Sequence, residues 1–359
     1  MAIDKRVLPD IQEDDPRREA VTVNIANEEV GNVSMMEDGS AIIGDVSPTP
    51  DMDFDSNLAE FIDESELGII ASELMDKYQQ DKTSREEWEN SYRKGLDLLG
   101  FQYKDRSEPF QGASGVTHPL LAESVTQFQA QSYKELLPAN GPVNTQIIGK
   151  TDPAKEEQAE RVKEFMNYQI THVMEEYDPE LDQMLFHLPL AGSAFKKVYY
   201  DAGLQRAVSK FISADDLVVP YSATDLSSCE RITHIVKMSE NEVRKQQVAG
   251  FYRDIELQYT DNEDKILEKE REIEGTKKIG VDEEYTLLEI HADLNIEGVD
   301  EDDGIKVPYI VTIDEGSSEV LSIYRNYKKE DNLRRKNKYF VHYKFLPGLG
   351  FYGFGLIHM

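Results

Sequence analysis

The fold is decided by residues 112–142, which read GASGVTHPLLAESVTQFQAQSYKELLPANGP. Thr117 or His118 can cap the start of a helix here, and Pro119 fits its first turn, where a missing N–H costs nothing. Pro138 ends the helix, because proline disfavours the helical conformation in the residue before it. Between these limits one stripe recurs at three- and four-residue steps, formed by Leu121, Val125, Phe128, Ser132 and Leu136. The stretch therefore predicts a single long amphipathic helix.

The opposite face of this helix is polar but mostly uncharged. It carries Gln127, Gln129, Gln131 and Lys134. Such a face suits packing against another protein surface as well as it suits water. An ordinary amphipathic helix on a core also explains the pattern, so the pattern by itself does not indicate a function.

Composition places the chain among acidic soluble proteins. It has 359 residues, 39% of them hydrophobic, and a formal net charge of −31. A chain this acidic repels phosphates and is a poor general nucleic-acid binder, although an acidic wall would let DNA slide through a passage. The single cysteine, Cys229, excludes an internal disulfide and a cysteine zinc cluster within one chain. No signal peptide or membrane-spanning run is recognisable, so we expect synthesis in a cytosol and no contact with a membrane.

The chain divides into four regions by composition and periodicity. Residues 1–56 contain 14 Asp and Glu against 4 Lys and Arg, which predicts a disordered acidic arm. Residues 57–192 are predicted to be helical, with the long helix over 117–137. Residues 193–346 form a mixed α/β, strand-rich region, and 347–359 are a Gly- and aromatic-rich lead into a further helix. The predicted fold class is α+β, a helical N-terminal half followed by a mixed, mostly antiparallel β region.

Local signals mark several element boundaries. Thr83 with Glu86 predicts a capping box that opens a second helix, and Ser239 with Glu242 predicts another. The charged segment 261–274 is predicted to be an exposed helix or excursion. Period-two runs predict strands at residues 194–200, 208–212, 232–238, 285–296, 308–314, 320–325 and 339–345.

Four short runs of sequence carry a resemblance to a known family. They are VTHP (116–119), FQAQ (128–131), ELLPANGP (135–142) and REEWENSYRKGLDLLG (85–100). Together they resemble the signature region of portal proteins, the head-to-tail connectors of short-tailed bacteriophages of the podovirus type. The resemblance covers roughly residues 58–359. It implies that the β region is wing-like, and that the channel-lining C-terminal helices of the family are missing from this chain.

The resemblance also implies a function without chemistry. Portal proteins form a homo-oligomeric ring, a dodecamer, at one vertex of the phage head, and double-stranded DNA is packaged and ejected through its centre. The implied partners are the terminase, tail adaptor proteins, and the capsid and scaffolding proteins. The implied location is the virion, assembled in the host cytoplasm. No catalytic, cofactor-binding or metal-binding residue is implied.

One basic concentration stands out in this acidic chain, between residues 325 and 344. It comprises Arg325, Lys328, Lys329, Arg334, Arg335, Lys336, Lys338 and Lys344. These side chains could contact DNA phosphates or the acidic surface of a neighbouring copy in a ring. We prefer the subunit interface over DNA, because net acidity supplies many partners. A solvated loop remains a third interpretation.

Two other functions stay open at this level. A metal-dependent nuclease or hydrolase would place carboxylates near strand ends, where Asp201, Asp215, Asp216 and Asp225 occur. A scaffolding or adaptor protein of the same virus is the other alternative, although such proteins usually lack a mixed sheet region. The glycines of 348–353 match a dinucleotide-loop spacing, but Pro347 and the lack of a following helix oppose that interpretation. The histidines show no metal-ligand spacing, which favours structural roles.

Overall fold

The computed structural model describes the chain in eleven stretches: residues 33–35, 41–43, 53–99, 110, 118–220, 222–259, 265–275, 284–296, 299, 304–348 and 350–359. Residues 1–51 form a unit by themselves. In that unit, strands β1 (Val33–Met35) and β2 (Ala41–Ile43) pair antiparallel. The rest of the predicted acidic arm, up to residue 52, lies outside the described residues.

The second unit begins with a 3₁₀ turn at Leu58–Glu60 and contains the helices and larger sheets. Its helices are α1 (Glu64–Ser84), α2 (Glu86–Leu96), α3 (Leu120–Leu136), α4 (Pro153–Tyr168), α5 (Tyr177–Ala191), α6 (Glu240–Val248) and α7 (Lys265–Glu274). A π-helical turn, Gln169–Val173, continues α4. No helix of the described residues is both long enough and apolar enough to cross a membrane.

Strands dominate the chain after α5, and they form two antiparallel sheets. The strands are β3 (Ser193–Asp201), β4 (Arg206–Ile212), β5 (Leu217–Val218), β6 (Arg231–Ser239), β7 (Glu284–Leu294), β8 (Val307–Asp314), β9 (Val320–Arg325) and β10 (Phe340–Lys344). One sheet has the order β10-β3-β4 and the other the order β5-β6-β7-β8-β9. The mixed α+β class predicted from the sequence is confirmed.

The long helix predicted over residues 117–137 is shorter in the structure, because α3 begins at Leu120. Val125 is fully buried, while Leu121 and Phe128 are half-buried and Leu136 is exposed. Gln129, on the face predicted to be polar, donates a 2.8 Å hydrogen bond from Nε2 to Asp182 Oδ1 of α5. One residue of the polar face thus contacts a helix of the same chain, while Gln127, Gln131 and Lys134 are exposed.

The predicted capping box at Thr83 is wrong. Helix α1 continues through Ser84, and the Thr83 hydroxyl donates to the carbonyl oxygen of Gln79 in the same helix. The break falls at Arg85, whose guanidinium is buried and donates to the carbonyl oxygens of Ala214 and Leu217, at 3.1 and 3.0 Å. A long-range contact thus sets the boundary, which a local pattern cannot predict. The Ser239–Glu242 capping box is confirmed at the start of α6.

Two main cores hold this unit together. Helix α1 packs Leu67, Leu74 and Tyr78 onto the five-stranded sheet. The second core joins α2 and α3 to the three-stranded sheet. It includes Ile266 of α7, which is buried, so the helical part of the charged segment is not simply exposed as predicted.

Candidate functional site

The basic segment is divided by the structure into anchored and exposed side chains. Arg325 is anchored, since its Nη1 donates to the carbonyl oxygen of Phe54 at 2.9 Å and its guanidinium lies 5.3 Å from the centroid of that ring. Lys336 is anchored through a 2.7 Å hydrogen bond from Nζ to the carbonyl oxygen of Cys229. These two cations hold the 325–338 connection to the rest of the chain.

Two arginines of the same segment shape its turn. Arg335 Nε pairs with Asp331 Oδ2 at 2.8 Å, and that hydrogen bond is the main cause that lowers the pKa of Asp331 and raises that of Arg335. Arg334 adopts a left-handed backbone conformation with φ of 47°. The exposed cations that remain are Lys328, Lys329, Lys338 and Lys344. The eight basic residues therefore do not act as one patch.

A pocket of about 300 Å³ lies beside the end of this segment. One wall is formed by residues 336–339 and the strand β10 that follows them, and the other by residues 225–230. Asn326, which is 2% exposed, lines it, and no hydrogen bond is made by its Oδ1 atom. The pocket thus combines two lysines, the carboxylates of Asp225, Glu230 and Asp293, an unsatisfied acceptor and apolar walls.

A half-buried ion cluster that sequence patterns did not reveal links the two sheets. Lys197 of β3 contacts Glu289 of β7 with Nζ–Oε1 at 2.6 Å, and His291 Nε2 lies 2.8 Å from the same oxygen. Burial opposes ionisation of Glu289. The hydrogen bond with His291, the nearby imidazole of His234 and the charge of Lys197 outweigh burial, and the pKa of Glu289 is held well below its usual value. Burial lowers the pKa of His234.

The aspartates that the nuclease hypothesis would use make hydrogen bonds within their own loops. Asp201 Oδ1 accepts from the backbone N–H groups of Gly203 and Leu204, both at 2.9 Å. Hydrogen bonds from Ser227 and Ser228 lower the pKa of Asp225 to about 2.

The other two aspartates lie in the loop before β5. Asp216 Oδ2 accepts from the Ser213 hydroxyl at 2.6 Å. Arg85 donates a hydrogen bond from Nη2 to the backbone carbonyl oxygen of Asp215. Among the described residues, no group of three His, Cys, Asp or Glu side chains is placed to hold a metal ion.

The glycine-rich segment after Pro347 brings its backbone close to the C-terminal end of α5. Leu346 and Phe354 form an isolated antiparallel bridge. Gly192 has φ of +84°, and a Cβ atom placed on it would lie 2.3 Å from the backbone nitrogen of Gly355. Residues 356–358 form a 3₁₀ turn within the described chain, and a Cβ atom on Gly95 of α2 would lie 1.8 Å from Ile357 Cγ2.

An exposed apolar surface lies on α4, a helix that buries none of its residues. The stripe that makes its sequence periodic includes Val162, Phe165 and Met166, which are 47%, 59% and 41% exposed. The ion pairs Arg161–Glu157 and Lys163–Glu160 lie on its polar face, within the same helix. We call the three apolar residues the α4 stripe.

Comparison with models of known protein families gave no match for this chain. A search of curated proteins likewise found no relative.

Proposed function

We propose that this chain is a ring-forming structural protein of a short-tailed phage head, a portal protein through which DNA is packaged and ejected. In this proposal the sheets belong to a wing-like region, and the channel helices lie outside this chain. The terminase and tail adaptors would dock on the ring, and capsid and scaffolding proteins would surround it. The four family-like runs of sequence and the α+β order of elements support this assignment.

The α4 stripe is the observation that carries the proposal. An amphipathic helix in a monomer normally turns its apolar stripe to its own core, whereas α4 leaves Val162, Phe165 and Met166 in solvent. Contiguous exposed apolar side chains mark interaction sites, and covering the part of each that is still exposed would contribute roughly 1 kcal/mol. A closed ring needs one patch that meets a different patch on the next copy. The α4 stripe supplies one such patch.

The exposed lysines of the basic segment fit the same assembly. Lys328 and Lys329 are exposed, and a chain with net charge −31 offers many acidic partners on a neighbouring copy. Arg325 and Lys336 are anchored inside the chain, which leaves fewer cations for phosphates. We therefore assign the exposed lysines to a subunit contact rather than to DNA. The candidate aspartates serve local turns, so no observation here favours nuclease activity as a second function.

Electron microscopy of the complete reading frame, purified at low salt, tests the proposal. We expect rings with an open centre. Rings would also be expected from Val248→Asp, which places the same charge on an apolar side chain of α6 that is 77% exposed. Monomers at micromolar concentration in the unaltered protein would contradict the assignment, and magnesium-dependent DNA cleavage would then be measured next.

A double variant, Val162→Asp with Phe165→Asp, separates the role of α4 from the assignment itself. Because α4 buries none of its residues, the variant should keep the circular dichroism spectrum of the parent while its rings dissociate. Intact rings in the double variant would place the subunit contact elsewhere, whereas the absence of rings in the parent would overturn the portal assignment.

A further inference from the structure

One face of the three-stranded sheet carries apolar side chains that are open to solvent. The register pairs Val341 of β10 with Lys196 of β3, and Tyr343 with Ala194. Strand partners share a face of the sheet, and so do residues two apart along one strand. The exposed apolar side chains on the face of Lys196 are Val198, Tyr200, Val341 and Tyr343, which are 42%, 68%, 45% and 37% exposed. We call these four residues the sheet patch.

Helix α5 lies on this same face but covers only one end of it. Leu181 of α5 packs in one apolar cluster with Ala194, and the centroid of the Tyr177 ring lies 4.2 Å from the Lys196 amine. The sheet patch lies outside these contacts. A face of an antiparallel sheet that is meant for water normally carries polar side chains, whereas contiguous exposed apolar side chains mark an interaction site. The part of the face beside α5 therefore has the character of a surface that another element covers.

Helix α4 has the complementary deficiency, because its apolar stripe has no sheet beneath it. Val162, Phe165 and Met166 are spaced by three and four residues, which is the pattern of a helix that packs on another layer, yet α4 buries none of its residues. Each copy of the chain thus carries one uncovered sheet face and one uncovered helix stripe. A heterologous ring contact joins two different surfaces in every pair of neighbours. If those surfaces are the α4 stripe and the sheet patch, both are covered in every copy of a closed ring.

The charged residues that border the α4 stripe are basic. Arg161 and Lys163 are the sequence neighbours of Val162, and the 3.6-residue period of a helix places them on opposite sides of the stripe. Both cations are paired only with glutamates of their own helix, and such surface pairs contribute little. The two cations are therefore available to a partner surface.

The border of the sheet patch is acidic. Residues 175–182, at the start of α5, contain five Asp and Glu and no Lys or Arg. Two of these residues hold the segment against β4, since Glu176 accepts from the Ser209 N–H at 3.3 Å and Glu180 accepts from the Phe211 N–H at 2.6 Å. Opposite charges around two apolar surfaces favour their association and fix its orientation. The charges around the α4 stripe and the sheet patch thus suit each other.

We propose that the α4 stripe of one copy packs on the sheet patch of the neighbouring copy, beside α5. This inference rests on the proposed ring, and it identifies the second surface of the subunit contact. Phe165 and Tyr200, the most exposed residues of the two surfaces, lie in the apolar part of the contact. Arg161 and Lys163 face the acidic segment 175–182 of the neighbour.

Cross-linking of engineered cysteines in the complete reading frame tests the inference. Cys229 is buried, so thiols introduced at exposed positions react separately from it. Val162→Cys and Val198→Cys change side-chain volume little, and the two variants are assembled together and treated with a short bismaleimide, which joins two thiols. We expect at least about tenfold more covalent dimer from the mixture than from either variant alone, because the contact holds unlike positions close together. A mixture of Val162→Cys with Val248→Cys on α6 is the matched control and should give no more dimer than the single variants.

The possible outcomes separate this inference from the portal assignment. A strong cross-link in Val162→Cys alone would show two α4 stripes in contact with each other and would overturn the inference. Rings in the parent without a cross-link between positions 162 and 198 would also overturn it, while the portal assignment would stand. A parent that forms no rings would overturn the assignment and this inference together.

A pair of charged substitutions tests the same contact without a reagent. Phe165→Asp and Tyr200→Arg should each raise the concentration at which half of the copies are in rings by about tenfold or more, because each places a charge in an apolar contact. The combined variant should assemble better than either single variant, since the two charges attract each other across the contact. Phe165→Asp with Val248→Arg is the matched control and should assemble no better than Phe165→Asp alone. Simple addition of the two defects in the combined variant would contradict contact between positions 165 and 200.

Discussion

Lys196 is a buried lysine whose charge is poorly compensated. The residue is 4% exposed, its Nζ makes no hydrogen bond, and its nearest favourable contact is the Tyr177 ring, with the centroid 4.2 Å away. Burial lowers the pKa of Lys196 to about 8, and the charge of Glu180 offsets only part of the effect. The folded protein therefore releases this proton near pH 8, whereas the unfolded chain holds it up to about pH 10.5.

We expect Lys196→Met to be more stable than the parent by about 1–2 kcal/mol near pH 7, because the cost of a buried cation is removed. Because the folded pKa is the lower one, the parent should gain stability as pH rises from about 8 to about 10.5, and the variant should lack this gain. Urea unfolding of both proteins at pH 7, 9 and 10.5 measures the difference. A constant difference in unfolding free energy across this range would contradict the buried-charge argument.

Glu289 accepts hydrogen bonds from Lys197 and lies within hydrogen-bond distance of His291. Removing its charge should therefore lower the free energy of unfolding. Glu289→Gln leaves Lys197 partly buried without its counter-charge, and we expect a loss of about 2–4 kcal/mol in unfolding free energy. Glu256→Gln, at an exposed position, is the matched control and should change stability by less than about 0.5 kcal/mol.

The pH dependence of Glu289 has a definite sign. Its folded pKa lies well below the ordinary value of 4.5, so its contribution is present above that value and is lost as pH falls further. The difference in unfolding free energy between the parent and Glu289→Gln should therefore shrink as pH is lowered below about 4. A difference that stays constant into acid would show that the substitution acts through packing alone.

At the scale of elements, the two glutamates beside α5 are expected to keep the three-stranded sheet from pairing through β4. The double variant Glu176→Ala with Glu180→Ala exposes the N–H groups of Ser209 and Phe211. We expect it to form concentration-dependent aggregates beyond any ring of the parent, because an uncovered edge recruits further strands. Light scattering over a concentration series measures this, with Glu175→Ala as the control at an adjacent exposed position.

Sequence periodicity predicted most elements, and its failures have physical causes. Val208 and Ile212 alternate in the way that a half-buried strand requires, and β4 lies where this pattern placed it. Thr83 was wrongly given a capping role, because the buried contacts of Arg85 decide where α1 ends. The pattern on α4 predicted a helix with an apolar stripe. A pattern gives the period of a stripe but not what covers it, so the exposure of Phe165 could not be foreseen.

The interaction sites were less predictable than the elements. Arg325 and Lys336 were grouped with the other basic residues because they are close in sequence, yet both are anchored by backbone carbonyl oxygens. Lys197 and Glu289 are 92 positions apart, and no local pattern connects such a pair. The position of β10 beside β3 depends on which strands become neighbours, and strand order is not encoded in the alternation of any one strand.

At the scale of the whole molecule, Arg85 joins distant parts of the second unit. It contacts the loop before β5 through Ala214 and Asp215, and its Nη1 donates to the Tyr352 hydroxyl at 3.2 Å. Trp88, the single tryptophan, stacks on Tyr352 with ring centroids 4.8 Å apart. The fluorescence of Trp88 therefore reports whether residues 350–359 are docked.

We expect Arg85→Lys to lower the unfolding free energy by about 2–4 kcal/mol, because an ammonium cannot reproduce the several hydrogen bonds of the buried guanidinium. Tryptophan fluorescence during urea unfolding measures it, and Arg93→Lys, at a position on α2 that is not part of this contact, serves as the control. Unchanged midpoints in both variants would contradict a central role for Arg85.

The docking of Tyr352 and Ile357 against α2 has a consequence for how the protein folds while it is being synthesised. The contact between Arg85 and Tyr352 spans 267 positions, so this part of the α2 surface is covered only after those residues have been made. At about 5–20 residues per second, a ribosome needs roughly 13–53 s to add them. During that time Trp88 and Gly95 are already made and have no partner from this segment. Translation thus sets the earliest moment at which the fold can close, and a growing chain stalled before Tyr352 would be a natural client for chaperones.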